Sequence, residues 1–169
     1  GYVMAPYTIN VMQGLENAGI QITSKNWLKR YQEASKKANK EDKTLSKLDR
    51  SWSGLSILID DIEVTDADIK ESSSAKTALY VVRRNAGENH DRRAKKGDYY
   101  LSDREMDNIK KIAASFEHTI IVLNTCVIDA NFIEEIEGID AALLLGPAGL
   151  EAGNALADIL TGKSSPSGR

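Results

Sequence analysis

The chain lacks the usual staples, anchors and one-sided charge. Cys126 is the one cysteine in 169 residues, so no internal disulfide can form and a disulfide-stapled class is excluded. No apolar run approaches the ~20 residues that cross a bilayer, which excludes a membrane-spanning class. No charged, apolar and small-residue pattern opens the chain, so no signal peptide is visible and a cytoplasmic setting is the expectation. Neither charge sign dominates. The 22 Lys+Arg stand against 25 Asp+Glu, a formal net charge of -3. A binder of nucleic acid or of an anionic membrane needs a basic excess, so both partners are excluded. Only two histidines are present, His90 and His118. Neither has a partner at metal-ligand spacing, so no metal site and no cofactor is implied.

What remains is a globular composition, 41% hydrophobic and 28% charged, long enough to bury one ordinary core. Both ends look like cuts through a longer polypeptide. Gly1 to Pro6 opens without a Met start, and Lys163 to Arg169 is polar and turn-rich.

Periodicity gives an order of elements. Pro6 to Ala18 reads as a helix, with Val11, Leu15 and Ala18 at helical spacing and Gly19 as its stop. Ile20 to Ile22 is a short strand candidate, and Ser24 can cap a second helix through Trp27, Leu28, Tyr31 and Ala34. The mixed-sign stretch from Lys36 to Asp49 reads as a solvated face. Thr65 or Asp66 can cap a short helix reaching Lys70 and Glu71. Ala78 to Val82 is a continuous apolar run of strand length. Ser102-Asp103-Arg104-Glu105 has capping-box spacing and opens a helix striped by Ile109, Ile112, Ala113 and Phe116. Thr119 to Leu123 and Ala141 to Leu145 are further buried-type strands, with a short helix at Asn131 to Ile136 between them. Glu151 to Leu160 is the final helix.

Apolar strands separated by helices predict a doubly wound, mostly parallel α/β sandwich of flavodoxin-like type over residues 1–169. Ligands in such sheets sit outside the carboxyl ends of the strands. The richest loop at such a position is Arg83-Arg84-Asn85-Ala86-Gly87-Glu88-Asn89-His90-Asp91-Arg92-Arg93. Gly87 lets the backbone turn sharply before Glu88. A carboxylic acid placed there is a candidate general acid. On spacing alone, a surface salt-bridge cluster of Glu88, Asp91 and the arginines is the simpler reading.

Several segments together resemble a known family. Arg84 to Arg92, followed by Lys96-Gly97-Asp98-Tyr99-Tyr100-Leu101-Ser102-Asp103, resembles the acid/base loop of glycoside hydrolase family 3 β-glucosidases. Ile121 to Thr125 is similar to the strand that follows it there. Gly146 to Leu160, and Gly162 through Pro166-Ser167-Gly168-Arg169, resemble the segment that closes that family's second domain. Tyr7 to Ile20 resembles the region after its Gly/Ser-rich loop. Two positions depart from the pattern. Asn89 replaces a glycine after the acid, and Leu150 replaces a glutamine before Glu151.

The resemblance implies an α/β domain of a retaining, exo-acting β-glycosidase that hydrolyses terminal β-linked sugars. Glu88 would be the general acid/base, with Arg84, Gly87, His90, Asp91 and Arg92 binding substrate or shaping the loop. Retaining chemistry pairs two carboxylates ~5–5.5 Å apart. The partner nucleophile would come from a (β/α)8 barrel domain, which needs ~200 residues or more and cannot fit here. The chain is therefore expected to be part of a larger two-domain enzyme, acting on a β-linked oligosaccharide or glucoside and inactive alone. An open sheet edge would also allow a dimer. The alternative reading is a non-catalytic flavodoxin-like or sugar-binding module. Outside the loop, His118 reads as surface and Cys126 as a small buried residue. Trp27 and Trp52 read as packing rather than sugar platforms. Asn124 and Thr125 could serve the loop or line the site.

Overall fold

The computed structural model describes residues 6–41, 59–84 and 91–168. It divides into two compact units, Gly1–Ile22 with Ala148–Arg169, and Thr23–Pro147. No described helix is long and apolar enough to cross a membrane.

The first unit is a helix pair drawn from the two ends of the chain. α1 spans Val11–Asn17 and α6 spans Ala152–Leu160. α1 starts later than periodicity suggests because Asn10 caps it. The Asn10 side chain accepts from the Gln13 N–H at 2.9 Å, and the Gln13 side chain accepts from the Asn10 N–H at 3.0 Å. Pro6 therefore lies outside the helix. The two helices meet backbone to backbone. A Cβ added at Gly14 would lie 2.0 Å from the carbonyl of Gly153, and one added at Gly153 would lie 2.0 Å from the Asn10 oxygen. The Gly153 N–H donates to the Ile9 carbonyl at 3.0 Å, and the Ile9 N–H to the Leu150 carbonyl at 2.8 Å. Gly19 follows α1 with φ +82°, a conformation that suits glycine. The expected strand at Ile20–Ile22 does not form. Its three residues have no strand partner among the described residues.

The second unit holds the sheet. In chain order it contains α2 (Lys25–Glu41), α3 (Asp66–Glu71), β1 (Thr77–Arg83), α4 (Asp103–Ala113), β2 (His118–Asn124), α5 (Phe132–Glu135) and β3 (Ala141–Leu144). The strands pair in parallel in the order β1-β2-β3. Thr77 lies opposite His118, and the register continues to Arg83 opposite Asn124. Parallel pairing needs crossovers, and α4 and α5 lie on them. Tyr80, Val82, Ile121 and Leu123 share one sheet face and pack with Ile109 and Ile112 of α4. Val122 is fully buried on the opposite face. Phe116 lies past the end of α4 yet still packs on this core.

The capping box predicted for α4 is present. Ser102 Oγ accepts from the Glu105 N–H at 3.1 Å, and Glu105 Oε2 accepts from the Ser102 N–H at 2.8 Å. Thr65 caps α3, where Asp68 Oδ2 accepts from the Thr65 N–H at 2.7 Å and from Arg30 at 2.5 Å. Burial alone would raise the Asp68 carboxyl, but the bonds from Thr65 and Arg30 hold it below the usual carboxylate range. The charged run from Lys36 continues α2 as far as Glu41 with no buried residue. Its remainder, and Trp52, lie outside the described residues.

Candidate functional site

β1 and β2 end at Arg83 and Asn124, side by side. Their carboxyl ends define the place where a parallel sheet binds ligands. Three segments meet around β1's end: residues 59–64, the turn 93–101 and the start of α4.

Arg84 is the first residue past β1, and its side chain is buried. It makes a two-pronged ion pair with Glu105, Nη1 to Oε1 at 2.6 Å and Nη2 to Oε2 at 2.7 Å. Its Nε–H donates to the Asp98 carbonyl at 2.8 Å, and Nη1 also donates to the Arg83 carbonyl at 2.8 Å. A longer bond reaches the Tyr100 carbonyl at 3.4 Å. A guanidinium has five N–H donors, and here each faces a protein acceptor. Arg84 thus fastens β1 to α4 and to the turn before it, with no donor left over for a ligand. Both side chains of the pair are 7% exposed. Breaking such a buried pair leaves an uncompensated charge.

On the far side of the loop, Arg92 and Arg93 bind the carboxylate of Asp98. Arg92 Nη1 lies 3.2 Å from Oδ1, and the Arg93 N–H donates to Oδ2 at 3.1 Å. The Arg93 N–H, then Arg92, hold the Asp98 carboxyl below its ordinary range. Gly97, at φ +76°, makes the turn that brings Asp98 back to Arg93. Asp91 is exposed. Gly87, Glu88 and His90 lie outside the described residues. Of the six residues singled out in this loop, the described ones are Arg84, Asp91 and Arg92, and two of these converge on Asp98 from opposite sides of the segment that carries Glu88.

Beside Arg84 lies a second polar cluster that sequence reasoning missed. Tyr80 donates its hydroxyl to Asp61 Oδ2. Arg83 lies 3.6 Å from Asp61 and stands over the Tyr31 ring, 4.4 Å from its centre. Tyr31 stacks on Trp27 with ring centres 5.4 Å apart, and Trp27 packs against the core as its position suggested. Burial, opposed by the Tyr80 bond and assisted by the charge of Glu105, pushes the Asp61 carboxyl up to about 6. Burial also raises the Tyr80 phenol and lowers Arg83. The signal available was the acidic run Asp60-Asp61 among isoleucines at Ile59, Ile62, though nothing in it specifies Tyr80 as partner. Its neighbours are fixed too. Asp60 accepts from Ser102 Oγ at 2.7 Å, and Asn108 binds Val64 N–H and Ile62 carbonyl at 2.9 Å each.

Past β2, Thr125 is buried and donates its hydroxyl to the Val127 carbonyl at 3.2 Å. Cys126 is exposed, not buried as its position suggested, because the strand has ended and the chain turns outward. His118 is exposed, as expected. Among the described residues no cluster of His, Cys, Asp or Glu could hold a metal ion.

Comparison with known proteins places this arrangement. The chain is 32% identical over 120 residues to a β-glucosidase of Ruminococcus albus, covering 70% of this chain and 13% of that protein. It is 35% identical over 74 residues to β-glucosidase A of Butyrivibrio fibrisolvens, covering 43% of this chain and 9% of that protein. The structure of β-glucosidase 3B from Thermotoga neapolitana in complex with glucose superposes with a TM-score of 0.82 at 28% identity, over 100% of this chain and 23% of that one. A β-glucosidase from Paenibacillus barengoltzii gives 0.78 at 25% identity, over 99% of this chain and 18% of that one. The chain thus spans a small part of the relatives it matches. The model of the glycosyl hydrolase family 3 C-terminal domain matches residues 1–169, and the chain belongs to that family.

Proposed function

We propose that the chain is the acid/base-contributing domain of a retaining β-glucosidase-type enzyme, with Glu88 as the general acid and then the general base. The observation that carries this reading is where the loop begins. Residue 84 is the first past the carboxyl end of β1, the end at which parallel sheets bind ligands. A family 3 C-terminal domain with a carboxylate in that loop is suited to protonate a departing glycosidic oxygen. The nucleophile would come from a (β/α)8 barrel partner, and the substrate would be a glucoside or oligosaccharide with a terminal β-linked sugar. A general acid must start protonated, so the barrel would need to supply apolar cover or a second carboxylate to Glu88.

The test is Glu88→Gln in the two-domain enzyme. The expected result is a fall of about 10²–10⁴-fold in kcat/KM on an alkyl β-glucoside, the usual worth of a general acid. Undiminished turnover by the variant would refute the assignment. The isolated chain is expected to hydrolyse no aryl β-glucoside, and turnover by it that Glu88→Gln abolishes would refute the half-site.

A further inference from the structure

We infer that Asp98 is a positioning residue that sets the span of the acid/base loop by fastening both of its stems. The inference rests on the reading of Glu88 above but concerns a different residue, ten positions further along. The incoming stem is held by the Asp98 main chain, whose carbonyl accepts from Arg84 Nε at 2.8 Å. The outgoing stem is held by the Asp98 side chain, with Arg92 Nη1 at 3.2 Å on one oxygen and the Arg93 N–H at 3.1 Å on the other. One residue therefore receives the chain on both sides of residues 85–91.

The support beneath Asp98 is a set of main-chain hydrogen bonds. Its own N–H donates to the Lys95 carbonyl at 3.3 Å, and Tyr99 N–H donates to the Arg93 carbonyl at 3.2 Å. Tyr100 N–H reaches the Lys95 carbonyl at 3.1 Å, and Gly97 N–H reaches the Tyr100 carbonyl at 2.9 Å. The Tyr99 carbonyl accepts from Asp129 N–H at 2.9 Å, which ties the turn to the loop after β2. The Arg84 end is anchored further by Glu105. Both carboxylate oxygens of Asp98 are engaged, and its side chain is 17% exposed. Charge-assisted bonds of this kind are short and directional. A loop of fixed end-to-end distance has fewer conformations, and a catalytic group displaced by about 1 Å can lose about 10²-fold in rate.

The test uses two substrates that differ in their need for protonation. A 2,4-dinitrophenyl β-glucoside leaves without an acid, whereas an alkyl β-glucoside does not. In the two-domain enzyme, Asp98→Ala is expected to lower kcat/KM on the alkyl glucoside by about 10–100-fold and on the dinitrophenyl glucoside by less than about threefold. Because Asp98 acts through Glu88, Glu88→Ala with Asp98→Ala is expected to match Glu88→Ala alone on both substrates. Equal losses on the two substrates, a multiplicative further loss in the double variant, or no loss at all would each overturn the inference. Asp98→Asn keeps the size and one acceptor oxygen, and the same criteria apply to it if the alanine variant does not fold. Glu88→Ala by itself reports on the underlying reading. If it shows no dependence on the leaving group, that reading fails independently of Asp98.

Discussion

Asp61 is a residue whose charged form the structure disfavours. It sits beside β1 with Tyr80 and Arg83 as neighbours, and its carboxyl is pushed up to about 6 from 3.8. For an acid raised in the folded state, stability is highest at low pH. Below about pH 3.8 both states hold the proton. Between there and about 6 the folded state keeps a proton the unfolded chain has released, so stability falls as pH rises. The span of about two pH units corresponds to about 3 kcal/mol. Urea unfolding of the native chain and Asp61→Asn should therefore show the native chain losing about 2 kcal/mol relative to the variant between pH 4 and pH 7, since part of the span lies below pH 4. A difference that stays flat across that range would sink the assignment. The Tyr80 and Arg83 contacts explain why the carboxylate is retained at all, since a lone buried charge would be costlier still.

At the scale of elements, the legible parts were those with a local cause. α4 could be read because its capping box and its stripe of Ile109, Ile112 and Ala113 lie within one stretch. β1 and β2 could be read because they are apolar throughout. β3 ends at Leu144, one residue before the apolar run to Leu145 does. Asn10 as the cap of α1 is not legible, because its partner, Gln13, is one of several polar residues nearby. The contact between α1 and α6 was not legible at all. Gly14 and Gly153 look ordinary alone, and only folding shows that each leaves room for the other helix's backbone. The candidate loop was legible as a sequence pattern, but the jobs of Glu105 and Asp98 were not. Glu105 was visible as a capping residue, while its pairing with Arg84 depends on a crossover that brings α4 back against β1. Gly153→Ala puts a methyl 2.0 Å from the Asn10 oxygen. It should cost about 3 kcal/mol or more, the upper range of overpacking. Gly149→Ala, with nothing within 4 Å, should leave the melting midpoint almost unchanged. Equal midpoints for both variants would show that the helix pair is looser than it looks.

For the whole molecule, the sheet's open side matters first. β3 pairs with β2 on one edge only, among the described residues, and Leu144 is 70% exposed. Parallel strands are normally covered, and an apolar edge invites pairing with another chain. The isolated chain is expected to self-associate in sedimentation at tens of micromolar, and Leu144→Lys to shift it toward monomer. A native chain that sediments as a monomer would remove the edge as a contact surface. The helix pair has a different consequence, in the order of events at the ribosome. Asn17 and Asn154 touch across 137 positions of sequence, so α1 is made long before its partner exists. At about 5–20 residues per second the wait is roughly 7–27 s. During that interval the stretch 23–147 can complete its sheet, while α1 has only itself. Seven residues are too few for a helix to persist alone. α1 is thus among the last elements of this chain to become permanent, and slowing synthesis between α1 and α6 would prolong the period in which a chaperone can hold it.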